Sequence, residues 1–403
     1  MPLSGVRVLD LTRLLPGGQC TLMLAHLGAD VIKVEDPTRG DYGRMATPLD
    51  GRGASAFHLY CNIHKRSLAL DLKHPEGVEA LLRLVKRADV LVESFRPGVL
   101  DRLGVGYGRL SRESPRLIYC AITGYGQDGP LARAPGHDLN FEAMGGTVGL
   151  TGPAGGPPFI PGVPFADIGA GMWAAFAIVA ALRQAERTGR GQFIDMAMLD
   201  TAVGFLAHHA QYFLSCGTPG GRETTRHNGR RPSYRLYPTA DGRWLAVACS
   251  EPKFWKNLCR LIGRLEFEGE SSARGERRRE VIAALEETFR ERTQAEWLAL
   301  FEGEEVCVSP VLDVEEVFSQ PQVRARGLTR ENPHPAGGSH PALRLPPRFA
   351  DLAPRRPLAA PGLGEHSREV LEEAGFSAGE IGRLFASGAS HAGREPEGET
   401  LAD

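Results

Sequence analysis

A histidine and an aspartate, His137 and Asp138, lie side by side in a glycine-containing segment over residues 135–141. Imidazole exchanges protons near neutral pH, and glycine lets a ligand approach the backbone closely. The segment therefore predicts an acid–base residue at His137. A structural histidine at a helix start, with Asp138 as its N-cap, is an alternative that spacing alone leaves open.

Asp167 is the only ionisable residue between Thr151 and Arg183, at the point where an apolar helix is predicted to begin. Unpaired N–H groups and the helix dipole favour a charged carboxylate there, so Asp167 could stay ionised despite poor hydration. The same N–H groups could stabilise an oxyanion of a ligand. An ordinary N-cap is the alternative, although Gly169 and Gly171 favour a functional site because a cap needs no glycines.

Basic residues near the predicted strand ends could bind phosphate groups, since α/β folds hold ligands at strand carboxyl ends. Each of them, taken alone, is better explained as a solvated surface charge. They are Arg39, Lys65, Arg66, Arg96 and Arg102.

Glu251 precedes Pro252, a pattern that predicts a helix beginning at the proline with the glutamate as its cap. Sequence motifs for a serine nucleophile elbow, a zinc protease and a phosphate-binding loop are absent, and cysteine and histidine do not cluster. We therefore predict no metal site.

The elements that must position these residues alternate between strands and helices over the first 125 residues. Strands are predicted at residues 6–11, 30–35, 67–72, 89–93 and 116–122, with helices at 19–27 and 75–85. This alternation predicts an α/β fold with a Rossmann-like parallel sheet. The first strand is not followed by a GxGxxG turn, which disfavours a nicotinamide dehydrogenase.

The second half of the chain has a different pattern. Helices are predicted at 168–187 and 195–215, then a polar loop at 217–233, a hairpin at 234–249, and helices at 252–262, 275–290 and 294–302. A stretch with eight prolines at 331–362 predicts an extended connection, followed by helices at 367–374 and 378–387. We predict a large domain beginning with residues 1–216, a small α+β domain at 217–312, a return to the large domain at 313–388, and a flexible tail at 389–403.

Composition limits the partners. The chain has 403 residues, 42% of them apolar, and a net charge of −2, which excludes a disordered chain and provides no overall field for nucleic acid or an anionic membrane. The seven scattered cysteines predict reduced core thiols in the cytoplasm. No secretory signal is evident, and the apolar stretch at 168–182 is too short for a bilayer, so we predict a buried helix there.

These same motifs resemble the family III CoA-transferases (CaiB/BaiF type), in particular the branch that contains α-methylacyl-CoA racemase. The resemblance covers residues 3–388 and is carried by 27–35, 65–73, 95–100, 123–129, 136–141, 240–242, 301–312 and 364–367. Two features favour the racemase branch over the transferases: the Gly-His-Asp run at 136–138 and the segment 307–312. A third is the absence of a glycine run from the loop at 226–232.

The resemblance implies that His137, oriented by Glu251, and Asp167 exchange protons with opposite faces of an acyl-CoA thioester, with no metal or redox cofactor. It also implies CoA binding by residues 70–73 and Arg96. With the basic positions above, the predicted binding residues include Leu70, Asp71, Leu72, Lys73, Gly136, Asp138, Asn140 and Phe141. Related racemases often carry an arginine where this chain has Asp36, and we expect Arg39 to replace it.

The resemblance further implies an interlocked homodimer. A CoA-transferase that forms an aspartyl-CoA thioester on Asp167 is the main alternative function, and a non-catalytic acyl-CoA-binding protein is a more distant one. The identity of the acyl group is not indicated.

Overall fold

Strands and helices alternate through most of the computed structural model, which describes residues 1–352 and 356–393. The strands are β1 (Arg7–Leu11), β2 (Asp30–Glu35), β3 (Lys65–Leu70), β4 (Val90–Glu93), β5 (Ile118–Thr123), β6 (Phe193–Ala197), β7 (Tyr234–Pro238), β8 (Trp244–Ala248), β9 (Val308–Pro310), β10 (Thr329–Pro333), β11 (Ser339–Leu343) and β12 (Ser390–His391). The α-helices are α1 (Leu14–His26), α2 (Ala56–Asn62), α3 (Pro75–Val85), α4 (Val99–Arg102), α5 (Tyr107–Glu113), α6 (Asp138–Gly145), α7 (Thr147–Leu150), α8 (Phe165–Thr188), α9 (Met198–Phe205), α10 (His208–Cys216), α11 (Pro252–Leu261), α12 (Gly275–Phe289), α13 (Gln294–Phe301), α14 (Val314–Ser319), α15 (Pro321–Ala325), α16 (Ser367–Glu373) and α17 (Ala378–Ala386).

The chain divides into two units. The first comprises Met1–Gly145, Val163–Phe205 and the described residues from Arg326 onward, and the second comprises Gly146–Gly162 and Leu206–Ala325. The predicted small domain, 217–312, lies within the second unit.

A seven-stranded sheet in the order β12-β3-β2-β1-β4-β5-β6 forms the centre of the first unit. Six strands are parallel, and β12 pairs with β3 in the antiparallel direction. Without β12 this is the doubly wound order of Rossmann folds, which reverses direction between β1 and β4. The predicted α/β class and Rossmann-like sheet are therefore confirmed.

Apolar side chains cover both faces of the sheet, because helices pack against each side. Leu9 and Leu11 of β1 contribute to a core that includes residues of α3, α16 and α17. Val8, directly before Leu9, points to the opposite face and joins a core with residues of α1 and α8. This alternation along one strand fixes the register of the sheet.

Helix α8 is held close to its neighbours by two glycines. A Cβ on Gly171 would lie 2.5 Å from the carbonyl oxygen of Pro16 in α1, and one on Gly169 would lie 2.5 Å from the ring of Phe205 in α9. These glycines therefore serve helix packing, and their interpretation as a sign of a functional site is wrong.

By length and composition, α8 is also the one helix among the described residues that could cross a membrane. The prediction that this apolar stretch is too short for a bilayer is therefore wrong. The prediction of a buried helix holds for one side only, which includes Ala174 and Ile178 and packs against the sheet. Trp173 and Phe176 on the other side are 52% and 65% exposed.

The second unit contains the predicted hairpin, β7 and β8, which turns at Gly242. A third strand, β9, pairs with β8 and was not predicted. Tyr237, Trp255 and Trp297 are buried in the core that this sheet forms with α11, α12 and α13. All three helices lie where the sequence predicts them.

Three predicted segments differ from the structure. The start of the predicted helix at 195–215 belongs to β6, a half-exposed strand that pairs with β5, and the remainder is divided between α9 and α10. The proline-rich stretch includes β10 and β11, which pair around Gly337 and Gly338. Residues 390–391 of the predicted tail form β12, and residues 394–403 lie outside the described residues.

All seven cysteines are free. Cys216 is exposed and Cys307 half-buried, so the prediction of core thiols is wrong for these two; the other five are buried.

Candidate active site

Asp167 lies in the first turn of α8, two residues after the helix begins. The N-cap position is occupied by Pro164, whose side chain makes no capping hydrogen bond. The first N–H groups of the helix are instead bound by carboxylates from α6. The Asp167 N–H donates to Oδ1 of Asp138 at 2.9 Å, and the Phe165 N–H donates to Oε1 of Glu142 at 2.7 Å. Asp167 is therefore not an N-cap, and its own carboxylate remains available for chemistry.

Burial and two neighbouring carboxylates control the charge of Asp167. Burial, followed by repulsion from Asp138 and Glu142, raises the pKa of Asp167 to about 7. Burial also raises the pKa of Glu142, with a further contribution from Asp138. Asp167 is therefore ionised only in part at neutral pH, because burial and the two neighbouring carboxylates oppose its charge. A carboxyl group with a pKa near neutrality can both accept and donate a proton at physiological pH.

His137 lies directly before α6 and is exposed. Its backbone is fixed by Asn140, whose side-chain oxygen accepts the His137 N–H at 3.0 Å and whose N–H donates to the His137 carbonyl at 2.8 Å. Asn140 thus orients the start of α6. Asp138 is the first residue of α6, but its carboxylate caps α8, which contradicts the alternative of a local cap. This contact ties the turn that carries His137 to the turn that carries Asp167.

Phe141 is a buried residue against which the loop before His137 packs. It is 1% exposed and packs with Ala166 and Ala202. A Cβ on Gly136 would lie 2.7 Å from the Phe141 ring and 2.9 Å from the hydroxyl of Tyr125. Gly136 is therefore required for loop packing, and Phe141, predicted to bind the ligand, belongs to the core instead.

A cavity opens at the carboxyl ends of β1 to β4, beside the point where the strand order reverses. Four predicted binding residues line it, namely Leu70, Asp71, Leu72 and Lys73, together with residues that follow β1, β2 and β4. A second depression shares Leu72 and Lys73 with the first and adds Arg102 and Arg109. The structure thus brings one predicted basic residue, Arg102, beside the predicted segment 70–73.

Lys65 and Arg66 lie at the opposite end of β3 from the cavity, because they are its first two residues. The Lys65 ammonium is fully buried and pairs with Asp10 at 3.0 Å. Arg66 makes ion pairs with Asp30, Glu369 and Glu373. The prediction that both residues lie at a strand carboxyl end, free to bind phosphate, is wrong.

Arg39 and Arg96 are exposed and are not among the described residues that line either depression. The Arg39 backbone N–H donates to the Asp36 carboxylate at 3.2 Å. Binding of CoA by these two arginines stays a prediction.

Glu251 belongs to the second unit, where it is the exposed residue before α11. Pro252 begins the helix as predicted, but the Glu251 side chain makes no capping hydrogen bond. Its role in orienting His137 stays a prediction.

Sequence reasoning missed two residues of the site. Arg13 follows β1 and lines the cavity. A search for basic residues at the carboxyl end of every predicted strand, the first included, would have found it. Glu142 is 1% exposed in α6, and its bond to Phe165 joins residues 23 positions apart, a relationship that no local pattern reveals.

The doubly wound sheet, the cavity at its strand ends and the adjoining turns of His137 and Asp167 define a Rossmann-like enzyme. The chain belongs to CoA-transferase family III, whose sequence model matches residues 3–367. Membership confirms the resemblance, and it means that the protein is an enzyme of the acyl-CoA transferase and racemase type.

Relatives with both activities are similar to this chain. A succinate–glutarate CoA-transferase of Agrobacterium fabrum is 38% identical over 92% of this chain and 95% of its own length. Human α-methylacyl-CoA racemase is 37% identical over 95% of this chain and 96% of its own length. The crystal structure of a CaiB/BaiF family protein from Brucella suis is 36% identical, with a TM-score of 0.83, and the match covers 93% of this chain and 99% of that one.

Proposed function

We propose that the protein is an α-methylacyl-CoA racemase, which inverts the stereocentre next to the thioester of an acyl-CoA. The observation that carries the proposal is the hydrogen bond from the Asp167 N–H to Asp138, because it ties a proton carrier with a pKa of about 7 to the turn of His137. Racemisation requires two such carriers, one for each face of the substrate.

The reaction begins when one carrier removes the α-proton and the C–H electron pair moves toward the thioester carbonyl, which forms an enolate. The second carrier then donates its proton to the opposite face of the α-carbon, and the carbonyl reforms. With neutral His137 as the base, the imidazole becomes imidazolium while the Asp167 carboxyl becomes a carboxylate. The reverse direction uses the same groups in the opposite protonation states.

The thioester needs no additional cofactor in this scheme, because CoA is part of the substrate. The segment 70–73 lines a cavity at the strand ends and supports the assignment of the CoA site to this edge of the sheet. We expect Glu251 to orient the imidazole of His137, and we expect the enzyme to work as an interlocked homodimer in the cytoplasm.

A CoA-transferase remains the second candidate, since a relative of equal similarity carries that name. In that mechanism the Asp167 carboxylate attacks the acyl-CoA carbonyl to form an acyl anhydride, and the released CoA thiolate then attacks to form an aspartyl-CoA thioester. A raised pKa opposes this role, because it removes part of the nucleophilic carboxylate at neutral pH.

The test measures exchange of the α-hydrogen of 2-methylacyl-CoA substrates in deuterated water. We expect exchange by the wild type and a loss of at least about 100-fold in both His137→Gln and Asp167→Asn. Asp128→Asn, which changes an exposed carboxylate, is the matched control and should exchange at the wild-type rate.

The same proteins are then incubated with acyl-CoA and carboxylate acceptors, and hydroxylamine is added to trap an acyl-aspartate. A wild type that transfers CoA, is trapped at Asp167 and does not exchange the α-hydrogen would replace the racemase with the transferase.

A further inference from the structure

Three consecutive residues after β1 are clamped by side chains from three other segments. The Thr12 carbonyl accepts a hydrogen bond from Nζ of Lys33 at 3.0 Å. The Arg13 N–H donates to Oγ of Ser94 at 3.0 Å, and the Leu14 N–H donates to Oδ1 of Asp41 at 3.2 Å. Rossmann folds bind ligand phosphates at this turn through glycines, whereas here it carries an arginine.

The clamp is a buried ion pair. Nζ of Lys33 lies 2.8 Å from Oδ2 of Asp41, and both side chains are almost completely buried. Burial favours the neutral amine of Lys33, but Asp41 and other acidic neighbours outweigh it and raise the pKa, so the lysine is charged. Leu14 adopts a positive φ of 60°, a conformation that side chains disfavour. The charged clamp holds the turn in this strained geometry.

The clamped turn places the Arg13 side chain in the wall of the cavity. Nη1 of Arg13 donates to the hydroxyl of Tyr42 at 3.0 Å. The guanidinium carbon lies 5.0 Å from the centre of the Tyr42 ring and 5.6 Å from that of Phe95, within cation–π range. The aromatic contacts restrict the arginine, while its planar group has five N–H donors and Tyr42 accepts only one.

The neighbouring acid, Asp36, is a charged carboxylate whose hydrogen bonds are made within its own loop. Asp36, which follows β2 and lines the same cavity, accepts hydrogen bonds from the Thr38 N–H at 3.0 Å and the Thr38 hydroxyl at 2.6 Å. Burial raises the pKa of Asp36, but these bonds, the Arg39 N–H and the charge of Arg13 together lower it. The carboxylate is thus turned into its own loop, and Arg13 and Lys73 are the cations among the described residues that line the cavity.

We infer that Arg13 anchors the diphosphate of the CoA thioester, and that the pair of Lys33 and Asp41 is a positioning device for it. The inference rests on the proposed function only in its choice of an acyl-CoA ligand. A guanidinium suits this role because it can donate two parallel hydrogen bonds to a phosphate. Arg13, held beside Asp36, then takes the part that we expected of Arg39.

Calorimetric titration with CoA and with pantetheine, which lacks the phosphates, tests the inference without turnover. We expect Arg13→Gln to weaken CoA binding at least about 10-fold and to leave pantetheine binding unchanged. Arg13→Lys should fall between these values, because an ammonium lacks the planar fork. The matched control is Arg187→Gln, which changes an exposed arginine at the end of α8 and should change CoA affinity by less than about twofold.

Equal losses for CoA and pantetheine in Arg13→Gln, or a loss for CoA in Arg39→Gln alone, would overturn the inference. An enzyme that exchanges the α-hydrogen but binds CoA equally well with and without Arg13 would leave the proposed function standing and the inference refuted. Conversely, an enzyme without exchange whose CoA affinity depends on Arg13 would retain the inference and refute the racemase.

Discussion

Asp138 accepts the backbone N–H of Asp167 at 2.9 Å, so the residue next to His137 holds the start of the helix that carries the second proton carrier. The relative placement of the two turns therefore depends on one side-chain-to-backbone bond, supported by the parallel bond from Phe165 to Glu142. The same two carboxylates raise the pKa of Asp167, after burial, which is the largest cause. Asp138 and Glu142 therefore determine both where the first turn of α8 lies and the pKa of Asp167.

The two directions of racemisation should depend on pH in the same way. Each direction needs one proton on the pair of His137 and Asp167, and the equilibrium constant does not depend on pH, so kcat/KM should be bell-shaped with the same two limbs for both stereoisomers. With a pKa of about 7, the Asp167 carboxyl should set one of these limbs near neutrality. The measurement is kcat/KM for each purified stereoisomer between pH 5 and 9.

Asp138→Asn should move the limb set by Asp167 toward lower pH, because it removes a negative charge near Asp167 but retains an oxygen that can accept the N–H. Asp128→Asn serves as the control and should leave both limbs in place. A limb that does not move in Asp138→Asn would show that another group controls it.

Asp167→Asn should stabilise the protein above neutrality. The folded-state pKa, about 7, lies above the usual value of 3.8, so the folded protein binds more protons between these values and wild-type stability falls as the pH rises through this window. We expect the asparagine variant to gain about 4 kcal/mol of unfolding free energy at pH 8 relative to the wild type, because each pKa unit corresponds to about 1.4 kcal/mol. Below pH 4 the gain should vanish.

Urea denaturation at both pH values measures this difference, with Asp128→Asn as the matched substitution. A variant that is less stable than the wild type at pH 8 would mean that the ionised Asp167 carboxylate is stabilised in the folded protein.

Lys65→Met should destabilise the first unit by about 3 to 5 kcal/mol, because it leaves the buried Asp10 without its closest cation. Burial favours the protonated form of Asp10, but Lys65, Lys33 and hydrogen bonds outweigh it and lower its pKa to about 2. The stability that this carboxylate provides is thus present above its usual pKa and is lost only as the pH falls toward 2.

The control is Lys73→Met, which changes an exposed lysine after the same strand and should shift stability by less than about 0.5 kcal/mol. Adding Asp10→Asn to Lys65→Met should recover part of the loss. Chemical denaturation followed by circular dichroism provides all these values, and equal effects of the two lysine substitutions would contradict the prediction.

Gly171→Ala should lower stability by about 2 kcal/mol, because the new Cβ would lie 2.5 Å from the rigid backbone oxygen of Pro16. Gly382→Ala places the same group in a helix with open space around it and should raise stability by about 0.5 to 1 kcal/mol. Thermal unfolding of the two variants compares them directly. Tolerance of alanine at residue 171 would show that α1 and α8 can separate without loss.

The sheet was predictable because its central strands are buried on both faces, as in β5, where all six residues are buried. β6 was missed because it is half-exposed and carries Asp195 at its centre, a pattern that does not distinguish an edge strand from the start of a helix. The predicted start of β3 at residue 67 came two residues late, and that shift concealed the position of Lys65 at the amino end of the strand.

The site was predictable in its residue types but not in its supports. His137 and Asp167 stand out in the sequence by chemistry and isolation. The caps by Asp138 and Glu142, and the clamp of Lys33 and Asp41, join residues far apart in the chain and depend on tertiary structure. Gly169 and Gly171 were interpreted as signs of a ligand site, but they allow close helix packing. A local sequence pattern cannot distinguish these two uses of glycine.

The pairing of β12 with β3 has a consequence for synthesis on the ribosome. Residues 390–391 complete a sheet whose neighbouring strand, β3, is made more than 300 residues earlier. Until β12 emerges, β3 presents unpaired backbone groups to other nascent chains. A chain that lacks residues 390–391 would therefore expose a sheet edge that is open to aggregation.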